Sequence, residues 1–320
     1  MPGDGTAGTL RRRVVSEPPA RIRDLAARRA RAREARDFAA ADALRAQIAQ
    51  AGWMVTDGPD GSSLVPAQAA AGPGYRILPD PAGIPPAAGP DPARPATIAL
   101  LVEGWPADLR ECVTALLAHA PAGVVVSALD VGNVGASGDT LHELAVAHPG
   151  RIEEWHVAAS PGWGASRNAL LRADPAPVHI IMETSTILAG DAIGPLLAAL
   201  HAAGVVAAGW RGADPDPDKL GFHDAGPGPV TALLGYLLAV RAEAAAAAGG
   251  LPARARFYRN ADLEFSLRLG QLGTLVVPEQ PLPVRQTRHR GYHDSDPGYR
   301  DRESRRNYRR VVELLRAAPG

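Results

Sequence analysis

The sequence predicts an α/β protein: an open, mostly parallel sheet flanked by helices, preceded by a small unit of two helices and a β-hairpin. Three observations predict this. From Thr97 onward, short aliphatic runs alternate with longer amphipathic segments, the pattern of strand–helix units that build a parallel sheet. Ahead of them, residues 67–95 are dominated by Pro, Ala and Gly, the composition of a semi-extended linker. Hydrophobic residues make up 46% of the 320, enough to bury a sizeable core.

The elements follow in chain order. Residues 1–17 hold Gly, Pro and an Arg triplet without periodicity and read as a disordered tail. The module at 18–66 begins with a helix after Pro18 that places Ile22 and Leu25 among arginines. Asp37 is placed to cap a second helix, with Phe38, Leu44 and Ile48 on one side and Gly52 after its end. "WMVTDGPDGSSLV" then reads as a hairpin around Asp57–Gly61. Past the linker, the domain at 96–320 opens with the strand "TIALLVEG" and a helix started by Pro106. "GVVVSALD", "RIEEWHVA", "VHIIM" and "VVAAGW" read as strands, with helices between them. A polar loop is expected at 212–219, then one strand over "VTALLGYLLAVR". "NADLEFSLRLGQLG" is a helix with Asn260 at its cap, "TLVVP" a strand, and "YRDRESRRNYRRVVELLRAA" a terminal helix.

Composition narrows the function classes. A formal net charge of +0 removes any whole-chain case for nucleic acid or an anionic membrane. Cys112 is the only cysteine, so no disulfide within the chain and no cysteine-based zinc site is available. With no signal-like apolar segment and no run long enough to span a bilayer, the expectation is a cytoplasmic protein.

In open α/β sheets ligands bind beyond the carboxyl ends of the strands. Glu103, Asp130 and Glu183 all fall at predicted strand ends and are expected at one rim. Glu183 also has a plainer reading as a solvated strand-end acid, Asp130 one as a turn acid, and Asp262 one as an acid favouring a helix start. Glycines 132, 135 and 138 lack the lysine of a phosphate-binding loop and read as a turn.

The order of four pieces carries a resemblance: a strand ending in Asp130, a "GASRN" helix start, a strand ending in "ETS", and "ADLEFSLRLGQLG". Together, over about 97–316, they resemble family 2 glycosyltransferases of the GT-A fold. The resemblance implies a nucleotide-sugar donor, a glycan or lipid-linked acceptor, and an inverting reaction. It places Asp130 against the nucleotide base or ribose, and Arg167 and Asn168 as its brace. It places Glu183 and Ser185 at the two acids that hold Mg²⁺ or Mn²⁺, Asp262 at the general base, and His289 near the phosphates. The chemistry asks for these groups on its own terms. A base must take the acceptor's proton, and positive charge must meet the departing diphosphate.

Two departures stand out. The metal motif reads Glu-Thr-Ser, with a single strong ligand, so a cation is expected to be weakly held or brought by the nucleotide. The usual acidic pair reads Ala261-Asp262. These departures support a second reading, a weakened domain that binds nucleotide sugars or serves as a scaffold.

The N-terminal "RDFAAADALRAQIAQAGWMVTDGPDG" resembles the helical appendage of cysteinyl-tRNA synthetases over about 20–66. It implies a recruited folding module. The sharper alternative is an RNA-binding accessory role through Arg28, Arg29, Arg31 and Arg33.

Overall fold

The computed structural model describes residues 18–35, 37–58, 61–66, 75–132, 136–216 and 221–317. The expected tail at 1–17, residues 67–74 of the expected linker and Gly135 lie outside the described residues. The chain divides into two compact units, Met1–Ala70 and Ala71–Gly320.

In the smaller unit, α1 (Ala20–Glu34) and α2 (Phe38–Gln50) precede the hairpin β1 (Trp53–Gly58) and β2 (Gly61–Pro66). Asp37 caps α2, its Oδ1 accepting from the Ala40 amide at 3.0 Å, which satisfies one orphan donor of the helix start. Gly52 follows α2 with φ +78°, a conformation that favours glycine. Ile22, Leu25, Leu44, Ile48, Trp53 and Val55 form the core. The Phe38 side chain lies outside the described ones. Of the four arginines expected to share a solvated face, Arg28, Arg31 and Arg33 are exposed, whereas Arg29 is buried on the Leu25 side, four positions later.

The larger unit is built on a nine-stranded sheet. Its strands in chain order are β3 (Ile77–Leu78), β4 (Thr97–Val102), β5 (Val125–Val131), β6 (Ile152–Val157), β7 (Val178–Met182), β9 (Val205–Gly209), β12 (Gly228–Val230), β14 (Leu237–Arg241) and β15 (Thr274–Val277). They lie in the order β12-β15-β9-β14-β7-β4-β5-β6-β3. Strands β7, β4, β5, β6 and β3 run parallel, while β14 is antiparallel to both β7 and β9. Short strands β8 (Thr186–Leu188) and β16 (Val284–Gln286) pair separately, as do β10 (Gly212–Pro215), β11 (Phe222–Ala225) and β13 (Ala232–Leu233).

Helices α3 (Pro106–His119), α4 (Ser137–Ala147) and α6 (Ile193–Ala199) cover one face, contributing Leu109, Leu141 and Leu196 to a core with Ile98, Leu100 and Ala128. Helices α5 (Trp163–Ala173), α7 (Ala242–Ala247) and α8 (Ala261–Gly270) cover the other, where Leu170, Ala245 and Phe265 meet Leu101, Leu129 and Ile181. Alternation along each strand divides the two cores. Two C-terminal helices follow, α9 (Arg290–His293) and α10 (Pro297–Ala317). Cys112 is fully buried, and burial pushes its thiol up to about 12, Glu111 and Glu183 adding to it.

Three expectations about elements change. The stretch expected as one strand over 230–241 is two, β13 and β14, broken by the turn at Leu234–Tyr236. The polar loop at 212–219 begins with a strand, β10. The expected linker does not run to 95: Tyr75, Leu78 and Ile84 are buried, and β3 adds a parallel edge to β6. A Pro-rich composition limits internal hydrogen bonds but does not stop individual apolar side chains from docking. A chain beginning at Tyr75 should therefore melt like the intact unit. One beginning at Pro95 should melt several degrees lower, because removing Leu78 and Ile84 uncovers about 1.5–3 kcal/mol each of buried apolar side chain; equal melting temperatures would restore the longer linker. No helix among the described residues is long and apolar enough to cross a membrane.

Candidate active site

β7 stops at Met182. The Glu183 carbonyl accepts from the Thr186 amide at 2.9 Å, closing a turn in place of a continued strand. The turn is stitched to β14 through the Tyr236 carbonyl, which accepts from the Glu183 amide at 3.3 Å and the Thr186 hydroxyl at 2.9 Å. The apolar run thus ends at the sheet rim, with Glu183 carried into the space between α5 and α8.

Glu183 is 8% exposed. Its Oε1 accepts from Arg167 Nη2 at 3.0 Å and Trp163 Nε1 at 3.3 Å. Arg167 is fully buried and also donates to the carbonyls of Ala99 at 2.6 Å and Met182 at 2.8 Å. It ties β4, β7 and Glu183 together, so it supports the acid from behind rather than facing a ligand. Asn168 likewise works inside the fold, exchanging two 2.8 Å hydrogen bonds with the Leu251 backbone.

Glu183 and Asp262 line one pocket of about 150 Å³ with Trp163, Gly235, Tyr236, Tyr258 and Arg259. Asp262 sits in the first turn of α8 and accepts from the amides of Gly235 and Leu263, each at 3.0 Å. Burial pushes its carboxyl up to about 6, with the Glu183 charge adding to the rise and the backbone amides opposing it. Burial also raises both tyrosine hydroxyls, Tyr236 and Tyr258.

His289 stacks on Tyr258, ring centroids 4.4 Å apart. Its Nδ1 accepts from the Tyr292 amide at 3.2 Å, which leaves the proton of the neutral ring on Nε2. That Nε2 has no hydrogen-bond partner and stands 3.9 Å from Glu183 Oε2. Glu103 joins this group. Its Oε2 would lie 3.5 Å from a Cβ added at Gly291, where the His289 ring would be 3.1 Å away. Crowding by protein atoms and then the Glu183 charge push the Glu103 carboxyl up to about 7, against the pull of Arg167. Glu103 is exposed on its outer side, and water there opposes part of that push.

Asp130 does not join Glu103 and Glu183. It is fully buried on the other face of the sheet, because it shares the parity of Val126 and Ala128 in the opposite core. Its Oδ2 pairs with His156 Nδ1 at 3.2 Å, and His156 Nε2 meets Glu154 Oε2 at 2.9 Å. Burial opposes protonation of His156, but the two carboxylates win and its pKa rises. Tyr75 stacks over this imidazole with centroids 3.9 Å apart.

Ser185 is 6% exposed with an unpartnered Oγ. Among the described residues, no three His, Cys, Asp or Glu side chains converge as a metal site. A divalent Mg²⁺ or Mn²⁺ takes several hard oxygens, and one Glu183 oxygen is already committed to Arg167. The donor set does not fit a resident ion.

Sequence reasoning missed Trp163, Tyr236, Tyr258 and Arg259. They sit at element starts or in turns, where periodicity carries no signal. The Arg259-Asn260 step did hold one, since Asn tolerates the left-handed φ of 66° that Asn260 adopts.

Residues 16–62 match the family model of the cysteinyl-tRNA ligase anticodon binding domain. A cysteine–tRNA ligase of Opitutus terrae is 53% identical over 53 residues, 17% of this chain and 12% of that protein. One of Rhodospirillum rubrum is 52% identical over 44 residues, 14% of this chain and 10% of that protein. The chain thus spans about a tenth of the length of these curated relatives. Among solved structures, a mannosyltransferase of Pyrobaculum calidifontis in complex with GDP-Man and Mn²⁺ is similar at TM-score 0.50 and 13% identity, covering 79% of this chain and 80% of that one. GalNAc-T7 with UDP, GalNAc and Mn²⁺ is similar at TM-score 0.57 and 16% identity, covering 68% of this chain and 48% of that one. The larger unit therefore has a GT-A glycosyltransferase fold, behind an N-terminal segment similar to the ligase domain.

Proposed function

We propose that the larger unit transfers a sugar from a nucleotide-sugar donor to a hydroxyl of a glycan or lipid-linked acceptor, with inversion. The observation that carries the reading is one pocket lined by both Asp262, its carboxyl raised to about 6, and Glu183, with the donor nitrogen of His289 3.9 Å from Glu183. The solved neighbours bind GDP-Man or UDP, and a shared fold alone does not carry chemistry.

In this reading Asp262 accepts the proton of the acceptor hydroxyl as its oxygen bonds to the sugar's anomeric carbon. The bond from that carbon to the diphosphate oxygen breaks, and the electron pair leaves with the diphosphate. His289 Nε2–H donates to the departing oxygens. Tyr258 holds the imidazole by stacking and Arg167 holds Glu183. Any divalent ion comes with the diphosphate. The reaction is placed in the cytoplasm, in keeping with the single buried thiol. Incubation with a panel of nucleotide sugars, reading hydrolysis and transfer, tests the proposal; binding without turnover of any donor would favour the scaffold reading, which the commitment of Glu183 to Arg167 supports.

The ion follows the same logic. Titration of the free protein with Mn²⁺ should show no tight stoichiometric binding, and Ser185→Asp should tighten it. Tight binding abolished by Glu183→Gln would mean that a further ligand completes the site.

A further inference from the structure

The pocket mouth carries positive charge that the transfer step above leaves unused. Arg259 lines the pocket beside Asp262 and is exposed. It donates to the Tyr292 hydroxyl at 2.6 Å and lies 5.1 Å from that ring's centroid. Arg300 stands 4.3 Å from the same centroid and donates to the Tyr292 carbonyl at 3.3 Å. His293 meets the ring edge-on. Two guanidiniums therefore share one phenol ring. Among the described residues, Asp301, 3.3 Å from Arg300 Nε, is the one carboxylate in ion-pair range of either. It is itself half exposed, so the cluster retains net positive charge.

The arrangement is built, not loose. Asn307, 1% exposed, donates to the carbonyls of Phe257 at 2.7 Å and Arg259 at 2.9 Å. The next residue, Asn260, keeps its left-handed φ while its amide donates to the Ser304 carbonyl at 3.1 Å. Strain of this kind persists only where the surroundings over-determine it. Here it fixes the direction of Arg259, three residues from Asp262.

We propose that Arg259 and Arg300 form a subsite for a phosphate group carried by the acceptor. The proposal rests on the transferase reading of the pocket and deepens it, naming the acceptor class as phosphorylated. Guanidinium forks match phosphate oxygens bidentately, and a pair of them with one exposed carboxylate suits a dianion. The acceptor, rather than the donor, follows from the pocket walls. Asp262, which takes the acceptor proton, lies in the first turn of α8, three residues after Arg259, and both line the same pocket.

The test uses the full chain and inorganic phosphate as probe, read by calorimetry with the nucleoside diphosphate saturating. Phosphate should still bind, and Arg259→Gln should weaken it roughly tenfold or more, with Arg259→Lys intermediate and melting temperatures unchanged. Arg300→Gln should weaken it as well. Phosphatidylcholine vesicles with and without phosphatidic acid separate a lipid headgroup from a soluble phosphate. Displacement of phosphate by the nucleoside diphosphate would assign the arginines to the donor and overturn the proposal. So would binding indifferent to Arg259→Gln, or no binding. Phosphate binding that depends on Arg259, in a protein that turns over no nucleotide sugar, would sink the transferase reading and leave the subsite standing.

Discussion

Asp262→Asn is expected to lower sugar transfer by about 10²–10⁴-fold while leaving nucleoside diphosphate affinity unchanged. Asn keeps the shape and one acceptor oxygen but cannot take a proton. In the intact protein, kcat/KM should fall as pH drops below about 6, where Asp262 becomes protonated, and this limb should vanish in the variant. The shift also has a sign for stability. A carboxyl whose folded pKa lies above its unfolded value stabilises the fold in acid, and that contribution is lost as pH rises through about 6. At neutral pH the ionised Asp262 therefore burdens the fold, and the variant should melt no lower than the parent unless the lost acceptor for the Leu263 or Gly235 amide dominates. A proportional loss of nucleotide binding and rate would recast Asp262 as a structural cap.

Most of the sheet was legible because its strands are short aliphatic runs between capped helices, and burial on both faces leaves such runs little choice of conformation. Glu183 was legible as a rim acid because it cuts off an aliphatic run, although its pairing with Arg167 was not. Asp130 looked equivalent in sequence, at the end of a strand of the same kind. What separates them is parity and neighbours. Asp130 points into the face shared with His156, and that partner, 26 residues away, is invisible to local pattern. The linker failed similarly. Composition at 67–95 described the backbone, while Tyr75, Leu78 and Ile84 followed their side chains into the core. Arg167 was legible as important but not in its direction, since only the folded register of β4 against β7 brings two carbonyls and Glu183 to one guanidinium. The aromatic walls, Trp163, Tyr236 and Tyr258, gave no signal because turns and helix starts accept such residues without a repeating pattern.

The largest stability effect should come from Arg167→Met. The guanidinium is wholly enclosed and serves three acceptors, Ala99, Met182 and Glu183, its Nη2 shared between the last two. Methionine fills much of the volume and satisfies none of them. The Ala99 carbonyl within β4 and the Met182 carbonyl at the end of β7 then lose their donor, and Glu183, already close to Glu103, loses its counter-charge. Breaking one side of a buried pair costs about 3–5 kcal/mol, and at roughly 2–4 °C per kcal/mol for a domain this size the melting temperature should fall by about 10 °C. Glu183→Gln should cost less, because the amide oxygen can still accept from Arg167 and Trp163. The double variant Arg167→Met with Glu183→Gln should recover part of the loss, since the uncompensated carboxylate is gone. Raising the pH of the single variant through about 7 should deepen its defect as Glu103 ionises beside Glu183. If Arg167→Met melts within a degree or two of the parent, water reaches this rim freely, and the low-dielectric setting that raises Asp262 and Glu103 does not exist.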